Sequence, residues 1–221
     1  RPPRSTLFPY TTLFRSVSEE ETPDGRPGVA VLVFGFGTES LGKALQARVG
    51  QCVLTCPTTA CFNGIMGCPK EKQIRIGGAI RYFGDGYQVA KKFDDRRFWR
   101  ILTMDGEFVC EDFFGTVTGV AGGNLLFCGT NATKTLAAAE AAVETIRKLT
   151  DVALPFPGGI VRSGSKVGSR YKGLKASTNE AYCPTLRGLT KTALPQHCHA
   201  VYEIVIDGLS FEAVRSEERR V

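Results

Sequence analysis

The chain has 221 residues, a formal net charge of +6 and 43% hydrophobic residues. That is enough to bury a real core in one large domain or two small lobes. No apolar run approaches the roughly 18 residues that a membrane-spanning helix needs, so no transmembrane segment is expected.

Most of the surplus charge sits at the two ends, RPPRSTLFPYTTLFRS and RSEERRV, which show neither helical nor strand periodicity. Residues 10–16, YTTLFRS, can be encoded TAC ACG ACG CTC TTC CGA TCT. The reverse complement, AGA TCG GAA GAG CGT CGT GTA, translates as RSEERRV, which is residues 215–221. One DNA element read in opposite orientations therefore accounts for both ends, and it resembles a common sequencing-library adapter. Arg1–Ser16 and Arg215–Val221 are expected to be foreign, and Val17–Val214 to be a fragment of a natural gene. Without Arg1, Arg4, Arg15, Arg215, Arg219 and Arg220 the chain is nearly balanced, and its global charge supports no nucleic-acid partner.

Within Val17–Val214, the Pro23-Asp24-Gly25 turn precedes GVAVLVFGF, a Gly-bounded apolar run typical of a buried strand. TESLGKALQARVG then predicts a helix capped by Thr38, with Leu41, Leu45 and Val49 on one face and Gly50 as its stop. CVLTC is expected as a second strand, ending at Pro57. IRIGGAIRYFGDGYQ and RRFWRILTMDGEFVCEDFFG read as β-rich, with a hairpin at Met104-Asp105-Gly106-Glu107. NLLFCG is a strand, and NATKTLAAAEAAVETIRKLT is the clearest helix, with Lys148 near its C-terminal dipole. Residues 155–185 are long and rich in Gly, Ser and Pro, with interspersed apolar residues, which points to an ordered functional segment. HAVYEIVIDG is a strand and LSFEAV begins a helix. Runs of strands and helices with hairpins indicate an α+β fold of the split βαβ kind.

The eight cysteines include a crowded group, Cys52, Cys56, Cys61 and Cys68, whose spacings match no standard zinc ligand pair. The expectation is buried, reduced thiols in a reducing, cytoplasmic setting. His197 and His199 flank Cys198 without a plausible ligand set nearby. GVAGGN carries Gly122 and Gly123 but leads into a strand, the wrong order for a dinucleotide fingerprint. Those glycines read either as a structural turn or as close backbone approach to a ligand. RSGSKVGSRYKGLK (162–175) holds five basic residues and no acid. It reads either as a solvated loop or as a cradle for a small anionic ligand. In AVYEIVIDG, period two puts Glu203 on one face with Val201 and Val205, opposite Tyr202, Ile204 and Ile206. Glu203 is then either an edge-strand residue facing water or a desolvated carboxylate able to exchange protons.

Several stretches recur together in one family's order: ETPDGRPGV (21–29), GQCVLTCPT (50–58), YFGDGYQ (82–88), GVAGGN (119–124), PFPGGIV (155–161), SKVGS (165–169), ASTNEAYCPT (176–185) and VYEIVIDGL (201–209). They resemble formylmethanofuran–tetrahydromethanopterin N-formyltransferase across essentially all of Val17–Val214. The resemblance implies an α+β fold of two ferredoxin-like lobes, incomplete at both ends in this fragment. Residues 17–128 would hold mainly the first lobe and the inter-lobe region, and 129–214 mainly the second, truncated lobe. It implies an acyltransferase that moves a formyl group between methanofuran and N5 of tetrahydromethanopterin, with both carriers as substrates and no tightly bound cofactor or metal. It also implies a cytoplasmic homotetramer, or one component of a formyltransferase/hydrolase complex, in methanogenesis or in methylotrophic formaldehyde oxidation, without nucleic-acid or membrane partners. A non-catalytic pterin-binding subunit is the alternative. By match to the family's motifs, Glu203 is the candidate catalytic carboxylate. Gly122, Gly123, Asn124, Ser165, Lys166, Ser177, Asn179 and Tyr182 are the candidates for carrier contacts. The cysteine-rich CVLTCPTTACFNG resembles the bacterial, methylotroph branch.

Overall fold

The computed structural model describes residues 12–149, 151–162 and 165–218. The chain divides into two compact units, Thr12–Thr118 and a second within Gly119–Val221.

In the first unit, β1 (Thr12–Val17) pairs antiparallel with β2 (Gly28–Val33), and α1 (Thr38–Arg48) follows. Then come β3 (Ala60–Cys61), β4 (Gln73–Arg75), the short helix α2 (Gly77–Ile80), β5 (Val89–Phe93), β6 (Arg96–Thr103), β7 (Gly106–Glu111) and β8 (Phe113–Gly115). The main sheet has the order β3-β7-β6-β5, and β4 pairs separately with β8. The expected hairpin is there: Thr103 and Gly106 are register partners, leaving Met104 and Asp105 as its two-residue loop. Its core gathers Val49, Leu54, Ile76, Ile80, Ile101, Phe108 and Cys110.

Four local expectations are corrected in this unit. CVLTC is not a strand: α1 continues into a π-turn over Val49–Val53, and the Leu54 N–H donates to the Val49 carbonyl at 2.8 Å. A short apolar run does not distinguish strand from helix, and continued winding keeps Val49 and Leu54 in the core beside Leu45 and Val53. For the same reason Gly50 does not stop α1. Thr38 is its first helical residue, and Gly37 (φ 85°) occupies the cap. Of IRIGGAIRYFGDGYQ only the first residues are strand. Gly77 and Gly78 let α2 close on the end of β7, where the Ile76 and Gly77 N–H groups donate to the Asp112 carbonyl at 2.9 and 3.2 Å.

Residues 12–16 of the expected foreign end form most of β1, and 215–218 close the last helix. Backbone pairing draws on groups that every non-proline residue carries, so these elements do not bear on the origin of the residues. Positions 1–11 and 219–221 lie outside the described residues.

The second unit contains β9 (Val120–Gly129), α3 (Ala132–Ile146), β10 (Val152–Ala153), β11 (Ile160–Val161), β12 (Ser165–Val167), β13 (Ala176–Thr178), β14 (Ala200–Gly208) and α4 (Phe211–Glu218). β14 is central, flanked antiparallel by β9 on one side and by β10 and β11 on the other. That pairing places β9 with this unit, and the division between the compact units falls at Thr118/Gly119. Asn131 caps α3, its side-chain oxygen accepting from the Thr133 and Lys134 N–H groups. The apolar face of α3 (Ala139, Ala142, Val143, Ile146) packs with Ile204, Ile206, Val152 and Val214 as one core. The described residues of the long segment 155–185 include β11, the β12–β13 hairpin and two short 3-10 turns, Glu180–Tyr182 and Pro184–Leu186. Among the described residues, no helix is long and apolar enough to cross a membrane.

Candidate active site

The alternation in AVYEIVIDG is as expected: Ile204 and Ile206 enter the core beneath α3, with Tyr202 packed against it. Glu203 points to the opposite face but not to water. It is 1% exposed, because β14 is a central strand and its second face is also covered. The edge-strand alternative is thereby overturned.

Glu203 lies between two register partners, Leu126 on β9 and Val161 on β11. Its carboxylate accepts from Asn124 Nδ2 at 2.5 Å and from the Ser165 backbone N–H at 3.4 Å. Asn124 is the register partner of Val205, two residues along β14, so it reaches Glu203 diagonally on the same sheet face. Beside Glu203 is a small cavity of about 40 Å³ lined by Arg162, Asn179, Tyr182, Cys183, Pro184, Val201 and Tyr202. It has room for a few waters at most. Donors to a buried carboxylate are the arrangement that keeps such a charge tolerable away from bulk solvent.

The other expected site residues separate into two groups. Asn124, Ser165, Asn179 and Tyr182 converge on Glu203 or its cavity. The remaining four are committed elsewhere. Lys166 pairs with Glu180, and that ammonium holds the Glu180 carboxyl below its ordinary range. Ser177 donates its hydroxyl to the Gly168 carbonyl at 2.7 Å, within the β12–β13 hairpin. Gly122, at φ 81°, donates its N–H to Asp207 at 3.1 Å. Gly123 faces α4, where an added Cβ would stand 2.6 Å from a Val214 methyl. Gly122 and Gly123 thus lie within β9 rather than in a loop.

Arg162, Cys183 and Pro184 also line the cavity but are not singled out by the sequence, although they lie in the basic run and in the ASTNEAYCPT motif. In the sequence Arg162 is one charge of a basic run that could be a solvated loop or an anion cradle. Its place follows from the Val161–Glu203 register, which no local pattern reveals. The cysteines differ from expectation. Cys110 and Cys198 are buried, Cys52, Cys56 and Cys128 are exposed, and the rest lie between. Of residues 52–68 only Leu54 is buried, and the rest are exposed or half-buried, with Thr and Asn interspersed. His199 anchors the start of β14, its N–H donating to the Gly129 carbonyl at 2.8 Å. Among the described residues, no group of three or more His, Cys, Asp or Glu is placed to hold a metal ion.

Residues 11–102 match the family model of formylmethanofuran-tetrahydromethanopterin formyltransferase, and residues 106–220 match the model of its proximal lobe. The chain belongs to this formyltransferase family. It is 57% identical over 209 residues to a component of the formyltransferase/hydrolase complex of Methylorubrum extorquens, covering 92% of this chain and 66% of that protein. It is 47% identical over 204 residues to the formylmethanofuran–tetrahydromethanopterin formyltransferase of Methanopyrus kandleri, covering 92% and 68%. The chain therefore spans about two thirds of the length of the curated relatives it matches.

Solved structures agree. The crystal structure of the Methylorubrum extorquens formyltransferase/hydrolase complex with methylofuran superposes with a TM-score of 0.84 at 54% identity, over 95% of this chain and 70% of that one. The Methanosarcina barkeri formyltransferase gives 0.79 at 43%, over 95% and 71%. The chain thus has the expected mixed helix-and-sheet fold, with its two halves matching the two family models.

Proposed function

We propose that this protein transfers a formyl group between a methanofuran-type amine and N5 of tetrahydromethanopterin, with Glu203 as the proton-carrying group. The observation that carries the reading is Glu203: a carboxylate 1% exposed, held by Asn124 and Ser165, beside a cavity lined by Arg162, Asn179 and Tyr182. Membership of the family and the relatives' names supply the reaction class.

In formyl transfer between two nitrogens, the lone pair of the acceptor amine attacks the formyl carbon and the carbonyl oxygen becomes an oxyanion. The tetrahedral carbon then expels the donor nitrogen. The attacking nitrogen must lose a proton and the departing one must gain one. A single carboxylate between them can take the first and return it to the second. Because the same group serves both directions, the geometry is neutral on physiological direction. The rate gain rests on juxtaposing the two carriers and on donors aimed at the oxyanion. The Gly122 N–H is engaged by Asp207, so the donor is sought around the cavity, where Arg162 and Asn179 contribute N–H groups.

The carriers are substrates in this reading, and no tightly bound cofactor is invoked. The basic segment 162–175 would meet their anionic parts. Assembly as a homotetramer, or within a formyltransferase/hydrolase complex like that of the Methylorubrum extorquens relative, is part of the same proposal, in the cytoplasm. The adapter origin of residues 1–16 and 215–221 is likewise proposed.

The deciding experiment is Glu203→Gln, assayed for transfer from formylmethanofuran to tetrahydromethanopterin, with carrier binding measured separately. Loss of transfer with binding retained is expected. Full activity in the variant would remove Glu203 from the chemistry. Tight carrier binding without transfer in the unsubstituted protein would favour a pterin-binding subunit.

A further inference from the structure

The crowded cysteines near residue 60 have no part in the proposed transfer, yet one of them has a matched neighbour. Cys61 on β3 and Cys110 on β7 are register partners on adjacent parallel strands. Adjacent strands lie about 4.8 Å apart. That is within the Cα separation of roughly 4.4–6.8 Å that a disulfide spans. Register partners on parallel strands project to the same face of the sheet, so the two thiols stand side by side.

Their surroundings differ. Cys110 is fully buried in the core of the first unit, and Cys61 packs against that core while keeping partial exposure. The hydrogen bond from Cys110 holds the Cys61 thiol below its ordinary range, against the opposing effects of burial and of the Glu111 carboxylate. Cys110 is pushed up by that bond, by burial, and by the negative charge of Cys61, Glu111 and Asp112. Cys61 is therefore the nucleophilic and more accessible member, and Cys110 holds the proton.

We infer that Cys61 and Cys110 form an oxidation site that closes into a disulfide on exposure to hydrogen peroxide. In the first step the Cys61 sulfur attacks one peroxide oxygen, an S–O bond forms and the O–O bond breaks. The departing hydroxide takes up the proton that Cys61 gave up and leaves as water. In the second step the Cys110 sulfur attacks the sulfenic sulfur of Cys61. The S–S bond forms, the S–O bond breaks, and the hydroxyl departs with the Cys110 proton as a second water. Two thiols are oxidised by two electrons and one peroxide is reduced to two waters.

The bond would fasten β3, a two-residue strand at the edge of its sheet, to β7. Glu111, next to Cys110, already receives the Asn63 N–H at 2.8 Å, so the bond would reinforce an existing tie between the same two segments.

The test is mass-spectrometric peptide mapping of the whole protein after brief peroxide treatment and alkylation of the remaining thiols. A cross-linked peptide joining Cys61 to Cys110, lighter by two hydrogens and reversed by dithiothreitol, is expected. Cys61→Ser should lose that peptide and leave Cys110 alkylated only after unfolding. Cys110→Ser should stop at an acid on Cys61. Should Cys110→Ser not fold, the map of the unsubstituted protein and the partly exposed Cys61→Ser variant still decide. An unmodified Cys61 after treatment overturns the inference. So does Cys61 oxidised to the sulfinic acid beside a free Cys110 thiol, or a Cys61 bonded to another cysteine.

Discussion

Asn124 on β9 reaches Glu203 on β14 diagonally, its Nδ2 donating to Oε1 at 2.5 Å although neither residue is the other's register partner. The bond fixes one oxygen of a buried carboxylate while the Ser165 N–H approaches the other. Removing one donor from such a group costs about 1–3 kcal/mol. Asn124→Ala is therefore expected to lower kcat for formyl transfer by roughly tenfold to a hundredfold, with KM for both carriers little changed. Asn124→Asp should be worse, because it sets a second carboxylate against the first. Steady-state kinetics on the two variants, beside Glu203→Gln, checks this. An Asn124→Ala enzyme with unaltered kcat contradicts the positioning role even where Glu203→Gln is inactive.

The pairing of Lys166 on β12 with Glu180, in the turn after β13, makes a pH prediction. The Lys166 hydrogen bond is the first cause of the lowered Glu180 value, followed by a bond from backbone N–H. A carboxyl lowered on folding contributes stability that is present above its unfolded value and is lost as pH falls through the folded one. The contact should therefore persist as the pH drops through 4.5, the ordinary glutamate value, and break only below it. An NMR titration of the Glu180 side-chain carboxyl reads the midpoint directly, and Lys166→Met should move it upward. An unchanged midpoint in that variant contradicts the pairing.

Much of the second unit is legible in the sequence, because its elements are long and strongly patterned. The alanine-rich run gives α3, and the alternation in AVYEIVIDG gives the two faces of β14. What the pattern does not carry is the number of neighbours a strand has. A glutamate on the face opposite the core looks solvated until β9, β11 and the β12–β13 hairpin are in place around it. The first unit is harder to read. VGQCV and GGAIRY hold β-branched and apolar residues in runs too short to show a period. They are wound into helical turns by tertiary contacts, namely the core at Val49 and Leu54 and the approach of Gly77 to β7. Site residues found through family motifs fare unevenly for a related reason. A motif marks a recurring shape, and the contacts of Ser177, Gly122 and Gly123 lie within the β12–β13 hairpin, with Asp207 and against Val214, away from the residues that line the cavity.

Glu111 is buried at the end of β7, and Arg96 grips it with both arms of its guanidinium, Nε to Oε1 at 2.9 Å and Nη2 to Oε2 at 2.6 Å. The fork raises the Arg96 pKa further, chiefly through that hydrogen bond. Arg96→Ala leaves the carboxylate with the Asn63 N–H and without its cation. Because the Arg96 side chain keeps 33% exposure, the expected loss is about 2 kcal/mol, below the range for a fully enclosed pair. Arg96→Lys should recover only part of it, since an ammonium does not reproduce the planar fork. Urea unfolding of the three proteins measures the difference. Equal midpoints would show that the pair adds nothing to stability.

Gly77 and Gly50 provide a matched test of close approach. Both lie in helical turns, where replacing glycine by alanine ordinarily stabilises by up to about 1 kcal/mol. At Gly50 a Cβ would find only a methyl of Ile80, at 3.9 Å, so Gly50→Ala should follow the ordinary rule and raise Tm by a few degrees. At Gly77 the same atom would stand 2.4 Å from the Glu111 carbonyl oxygen and 3.0 Å from the Asp112 Cα. These are backbone atoms of β7 and the residue after it, and they do not swing aside as a side chain can. Overpacking of this kind costs typically about 1–3 kcal/mol, which exceeds the helical gain. Gly77→Ala should therefore lower Tm while Gly50→Ala raises it, and thermal unfolding of the pair reads the sign. A Tm for Gly77→Ala at or above that of the unsubstituted protein would mean that α2 lifts off β7 at little cost, and that the contact does not hold the first unit together.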